Sequence, residues 1–251
     1  MIGDAWRLSV GTLTAIPVRP PSTVDRNRAA AAMVLAPLAV LPLGLAVAGV
    51  LLAGDWLGLP VLVTALLAIG AAILGNRAFH LDGLSDTVDG LAASYDRSRS
   101  LEVMKSGTSG PAGVVAVVLV LGLQVAGLAS LVSPEGAVLA GVAVCASRAG
   151  LAVCCARGVT AARTDGLGST YTQTVPRFVA VFVWLVLGLA LALTGVWAGL
   201  PWWRGALAAA VAFAVVVALL VRANRRFGGV TGDVFGAAIE LSLAAMLVSL
   251  S

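Results

Sequence analysis

Residues 111–132 read PAGVVAVVLVLGLQVAGLASLV, a run in which Gln124 and Ser130 are the only polar side chains. A helix rises 1.5 Å per residue, so a run of this length crosses a hydrocarbon core about 30 Å thick. Ala137–Cys155, Phe178–Val196 and Ala206–Val221 are similarly unbroken. A helix packed on a soluble core alternates apolar and polar faces, whereas these runs are apolar all round. Of the whole chain, 60% is hydrophobic and 11% charged, with a mean hydropathy of +1.02. Soluble domains carry roughly a quarter charged residues to cover their surface. Lipid is the solvent here, and the expected fold is an all-α polytopic transmembrane helix bundle.

Seven spans are expected, near 31–53, 59–79, 111–132, 137–156, 178–197, 204–222 and 235–250. The last is short and contains Glu240, so six crossings plus a re-entrant or interfacial segment is the alternative. Met1–Asn27 carries Asp4, Arg7, Arg19, Asp25 and Arg26 and lacks the apolar core and small-residue site of a cleavable leader, so the first span is expected to stay in the bilayer. With no internal repeat or low-complexity linker, residues 1–251 read as one membrane domain. Of the 16 lysines and arginines, all but Arg148 and Arg204 fall in the N-terminal segment or in the connections at 77–110, 157–177 and 222–233. Basic residues stay in the cytoplasm, which places the N-terminus and these three polar connections on that side. The same arginines account for the net charge of +4 without invoking nucleic acid. Cys145, Cys154 and Cys155 lie in one apolar run and form neither a disulfide framework nor a zinc-ligand pattern.

The polar stretch that stands out is Phe79-His-Leu-Asp-Gly-Leu-Ser-Asp-Thr-Val-Asp-Gly90. Asp82, Asp86 and Asp89, at i, i+4 and i+7, fall within about 60° of one another on a helix. Like charges so placed repel. A divalent cation reverses the sign, and hard oxygen ligands without cysteine suit Mg²⁺ shared with substrate phosphates. The bland reading is a solvated acidic loop that balances nearby arginines. His80, the sole histidine, is a candidate general base or an interfacial hydrogen-bonding group.

Four further features follow. Gly228, Gly229, Thr231 and Asp233 at a helix start are placed to cradle a phosphate, with Glu240 two turns on; ordinary capping is the rival. Lys105 precedes a Ser/Gly/Thr-rich stretch, and Arg163 heads Thr-Asp-Gly-Leu-Gly168 in a basic connection, where lipid headgroups are the competing contact. Arg148 lies inside a span, where a charge is costly and faces a polar cavity or a partner carboxylate.

The stretch His80–Gly90 resembles the signature of the cobalamin synthase family, the adenosylcobinamide-GDP ribazoletransferases. Leu101–Lys105 with Gly110 and Gly113, Ser147-Arg148 with Asp165–Gly168, and Gly228–Asp233 running into Gly236–Glu240 resemble the family's later motifs in the same order, and Leu13–Val18 its opening. Ser106, Gly107 and Thr108 depart from it, standing where relatives carry an acid and a base. The resemblance implies a transferase that joins adenosylcobinamide-GDP to α-ribazole or its 5′-phosphate, with release of GMP, in the last assembly steps of vitamin B12. It also implies a magnesium requirement and a place in the bacterial cytoplasmic membrane, and leaves a homo-oligomer open. On this reading Asp82, Asp86 and Asp89 hold the metal and, with His80, carry the chemistry. Lys105, Arg148, Arg163, Gly229, Thr231, Asp233 and Glu240 contact substrate. A CDP-alcohol phosphotransferase is the alternative, but Leu84-Ser85 stands where that motif places Ala-Arg. A cation transporter fits less well, because its acids belong at the midplane of repeated halves.

Overall fold

A computed structural model describes residues 1–251 as helices joined by short connections, with two isolated bridges and no strand. Helix α1 (Ile2–Leu13) is amphipathic; it buries Ala5, Ser9, Val10 and Leu13 and leaves Ile2 and Trp6 exposed. The first crossing consists of α2 (Arg26–Ala39) and α3 (Leu41–Trp56). Pro42 has no N–H to give the carbonyl one turn back, and the helix breaks at Val40 beside it.

The second crossing, α4 (Val61–Gly75), ends in an abrupt turn. Arg77 and Ala78 both have φ of 59°, and α5 (Phe79–Ala93) leaves at 89° to α4. Non-glycine residues in this left-handed region cost about 1 kcal/mol or more each, so neighbouring contacts must hold the turn. Arg77 supplies them: its Nη2 donates to Gly11 O at 3.1 Å and to Thr14 O at 3.3 Å, and its guanidinium lies 4.7 Å over the Phe79 ring. The N–H of Ala15 donates to Gly75 O at 2.7 Å, which ties the end of α1 to the same corner.

The remaining helices are α6 (Arg97–Val103), α7 (Pro111–Ala129), α8 (Pro134–Ala146), α9 (Ala149–Cys154), α10 (Gly166–Tyr171), α11 (Arg177–Trp197), α12 (Trp202–Phe227) and α13 (Gly232–Leu250). Helices α8 and α9 form one crossing interrupted at Ser147-Arg148. Six crossings are long and apolar enough to span a membrane, and the bent pair α4–α5 is the seventh candidate. The irregular crossing is therefore the second and not the last. Helix α13 runs unbroken for 19 residues, and Arg204 Nη1 donates to Ser251 O at 2.9 Å at its far end. Its first turns lie among the arginine-rich connections and its end beside the opposite loops. Glu240 is tolerated there because protein, not lipid, surrounds it.

Helices α8 and α13 sit at the centre and are buried on most sides, while α11 turns Phe178, Phe182, Leu185, Leu189 and Leu193 outward. Lipid chains are as apolar as leucine, so close backbone contact has to hold helices together. Gly44 of α3 and Gly141 of α8 provide it: a Cβ on Gly44 would sit 2.7 Å from Gly141 O. Trp56, Trp197, Trp202 and Trp203 are exposed at the end away from the arginine-rich connections, where an aromatic belt meets the headgroups.

Candidate active site

Helix α5 carries the acidic motif across the arginine-rich face, packed between α7 and α13. Two glycines set its contact with α13. A Cβ on Gly83 would lie 2.7 Å from Asp233 O, and one on Gly236 would lie 2.9 Å from His80 O. Backbone meets backbone at both points, and Asp233 is thereby brought beside Asp82.

The three aspartates of α5 are not equivalent. Asp82 is exposed, Asp86 half-buried and Asp89 buried. Asp89 Oδ2 accepts from Gly110 N at 2.6 Å and Oδ1 from Gly113 N at 2.8 Å. Asp89 thus caps α7, satisfying two of the free N–H groups at its start. A side chain at Gly113 would collide with Asp89 and Ser85, which explains the glycine. No three acids, histidines or cysteines converge on a single ion position, so Asp82, Asp86 and Asp89 do not surround one point. Residues seven apart share a helix face but are separated by about 10 Å along the axis, and Asp89 is already engaged by the N–H groups of Gly110 and Gly113.

Asp86 behaves as a member of a crowded acidic group. Its pKa is pushed up to about 6, first by burial and then by the charges of Asp82, Asp233 and Asp89, with Arg163 opposing. Asp82 and Asp86 make no hydrogen bond or ion pair within the protein. Asp233 Oδ2 accepts from Thr231 Oγ1 at 3.0 Å, which leaves its other oxygen free. This donor set fits Mg²⁺, which binds through one or two carboxylates together with waters and substrate phosphate oxygens.

A cavity of about 400 Å³ opens beside this group, lined by Asp82, Arg163, Asp165, Thr231, Asp233 and His80 on its polar side. The residues that shape its mouth are joined by short-range backbone pairing. Val230 N donates to Thr160 O and Ala162 N to Val230 O, each at 2.9 Å. Gly229 has φ of 156°, and a Cβ there would lie 2.5 Å from Thr160 O. Gly229 thus shapes the loop and does not line the cavity. Arginines brace the same connections: Arg97 Nη2 donates to Ala162 O at 2.8 Å, Arg163 to Leu101 O and Arg226 to Ser94 O. Lys105 is exposed and pairs with Asp165 across the cavity mouth at 3.1 Å.

Arg148 and Glu240, expected to contact substrate, do not line this cavity. Arg148 is 1% exposed, with Nη1 donating to Val144 O at 2.8 Å and Ser147 Oγ at 2.9 Å. Glu240 Oε2 accepts from Gln124 Nε2 at 2.8 Å, and Glu240 Oε1 lies 3.6 Å from His80 Nδ1. His80 Nδ1 also meets Asn76 Nδ2 at 3.2 Å. This interior polar cluster fixes the ring of His80. Asn76 and Gln124 were not singled out by sequence: each is a single amide in or beside an apolar run, with no pattern to mark it.

A second cavity lies on the other side of α5, lined by Asp89, Arg99, Glu102, Ser106, Thr108 and Gly110 among others. The altered Ser106–Thr108 stretch therefore borders this space and not the first one.

Comparison with known proteins bears on the whole chain. The family model for cobalamin-5-phosphate synthase matches residues 5–251. An adenosylcobinamide-GDP ribazoletransferase of a Nocardioides species is 56% identical over 98% of this chain and 97% of its own length. Proteins of the same name from Frankia casuarinae and Pseudomonas fluorescens are 36% and 33% identical, covering 96% and 95% of the chain and 92% and 96% of their own lengths. No solved structure matches. With the acidic helix, the glycine-rich start of α13 and the bundle between them all inside the matched region, the chain belongs to the cobalamin-5-phosphate synthase family.

Proposed function

We propose that the protein joins adenosylcobinamide-GDP to α-ribazole or its 5′-phosphate, releasing GMP and forming adenosylcobalamin or its phosphate. Membership of the family carries the reaction, and the observation that carries its location is the cavity walled by Asp82, Asp233, Thr231 and Arg163. The CDP-alcohol and transporter alternatives gain no support from any feature of this site.

The ribazole hydroxyl attacks the corrinoid-side phosphorus, the bond from that phosphorus to the GMP oxygen breaks, and GMP departs. Reactions of this class depend on positioning and charge neutralisation more than on covalent help. Asp82 and Asp86, one helical turn apart and free of protein partners, would hold Mg²⁺. When bound, the ion supplies Lewis-acid neutralisation of the pyrophosphate and of the departing GMP. Thr231 holds one oxygen of Asp233, and the other is presented to take the hydroxyl proton. Arg163 adds a positive charge to the cavity wall, fixed in place by its bond to Leu101 O. The arginine bias of these connections supports a site facing the cytoplasm of a bacterial inner membrane.

The test is turnover by protein purified into nanodiscs with adenosylcobinamide-GDP, α-ribazole and Mg²⁺. GMP release matched by corrinoid product, abolished by EDTA, is the expected result. Folded protein that yields no product with either ribazole form would overturn the reading.

A further inference from the structure

The cavity beside α5 has two unlike halves. Besides the charged residues, its wall includes Leu13 of α1, Met33 of α2, Leu151 of α9, and Phe235 and Ile239 of α13. These side chains are buried, Met33 to 2% and Ile239 to 1% exposure, yet between them lies unfilled space. Protein interiors are close-packed, and an apolar void costs stability in proportion to its volume. Four helices converge to keep this one open. A space of about 400 Å³ is near the small end of ligand sites, enough for one nucleoside and too small for a corrin macrocycle. One polar atom bordering this wall has no partner: His80 lines the cavity, and its Nε2 is buried without a hydrogen bond.

Resting on the reaction assigned above, we propose that the apolar half receives the flat aromatic base of the ribazole nucleoside. His80 Nε2 meets the base's one polar ring atom, and the ribose hydroxyl points back to Asp82 and Asp233. The corrin ring then stays outside, on the arginine-rich face. The guanine of the other substrate is also flat, but its edge carries several donors and acceptors. A mainly apolar wall with one unpartnered polar atom would strand most of them, at a cost of about 1–3 kcal/mol each. A benzimidazole has a single free ring nitrogen and an otherwise apolar edge, which matches this wall.

The measurement is a two-substrate kinetic analysis in nanodiscs of wild type, Leu151→Phe and Ile239→Phe. Both variants fill the apolar half. The KM for α-ribazole is expected to rise about tenfold or more, with the KM for adenosylcobinamide-GDP unchanged. A rise confined to the corrinoid nucleotide, or no change in either, overturns the placement while leaving the reaction intact. An inactive wild type instead sinks the reaction itself. Because a filling variant can fail to fold, Met33→Ala provides the opposite change. It enlarges the space and should raise kcat/KM for a ribazole analogue with one further fused ring, relative to α-ribazole, by about tenfold. An unaltered ratio in a folded Met33→Ala protein also overturns the placement.

Discussion

Asp82, Asp86 and Asp89 carry the same functional group and meet three different environments, so substitution by asparagine should separate them. Asp82→Asn removes an exposed carboxylate with no structural partner, and turnover should fall by about 100-fold or more without loss of thermal stability. Asp89→Asn weakens the cap on α7 by replacing a charged acceptor of two N–H bonds. It should cost about 1–2 kcal/mol, read as a lowered Tm. Asp86 is predicted to behave in the opposite sense. Its folded-state pKa of about 6 lies above the ordinary 3.8, so the folded protein holds that proton more tightly than the unfolded chain does. The resulting stability is present below pH 4 and is lost as pH rises through 6. In Mg²⁺-free buffer, Asp86→Asn should therefore raise Tm at pH 7.5, by up to a few degrees, and raise it less at pH 4.5. Adding Mg²⁺ should stabilise wild type at pH 7.5 and do so less at pH 5, where protons compete for the same oxygens. A Tm profile for Asp86→Asn parallel to wild type across this range would contradict the crowded-carboxylate account.

At the scale of elements, the site is an intersection of two helices, and its precision depends on the glycines at the crossing. Gly236→Ala places a methyl 2.9 Å from His80 O and 3.1 Å from His80 Cα, backbone atoms that cannot swing aside. The helices must separate, and turnover should drop at least tenfold, since displacement by about 1 Å is enough to spoil near-attack geometry. Gly70→Ala on α4, with nothing within 4 Å, is the matched control and should be neutral. Much of this architecture was legible beforehand. Unbroken apolar runs such as 111–132 and the arginine bias of alternate connections define crossings and sides before any contact is known. The corner at Asn76–Ala78 was not legible. It contains neither glycine nor proline, and Arg77 holds it through carbonyls of a helix more than sixty residues away in sequence. The acidic motif was half legible: angular spacing placed Asp82, Asp86 and Asp89 on one face correctly, but axial rise spreads them along it. The role of Asp89 was hidden because its partners, Gly110 and Gly113, belong to another helix. The apolar wall of the cavity was also hidden, because Leu13, Met33, Leu151 and Ile239 look like any other core residues until the helices meet.

At the scale of the whole molecule, the central pair α8 and α13 is sheathed by helices whose outer surfaces are leucine, valine and phenylalanine, while the polar chemistry is confined to one end. Helix α4 upsets this regularity. It has 15 residues, about 22 Å, against 26 residues in α12 and a hydrocarbon core of about 30 Å. At the end of this short helix the chain turns by 89° and becomes the helix that carries the aspartates. The carboxylates are consequently hung from a crossing shorter than the layer it crosses. Hydrophobic mismatch of this kind is relieved by local thinning of the bilayer, at a fraction of a kcal/mol per Å. Such thinning beside α4 would bring the headgroup layer level with α5, which makes lipid length a variable of the reaction. Turnover in vesicles should be higher with short-chain phosphatidylcholines than with long-chain ones, and equal rates across that series would show that α5 stands clear of the membrane surface.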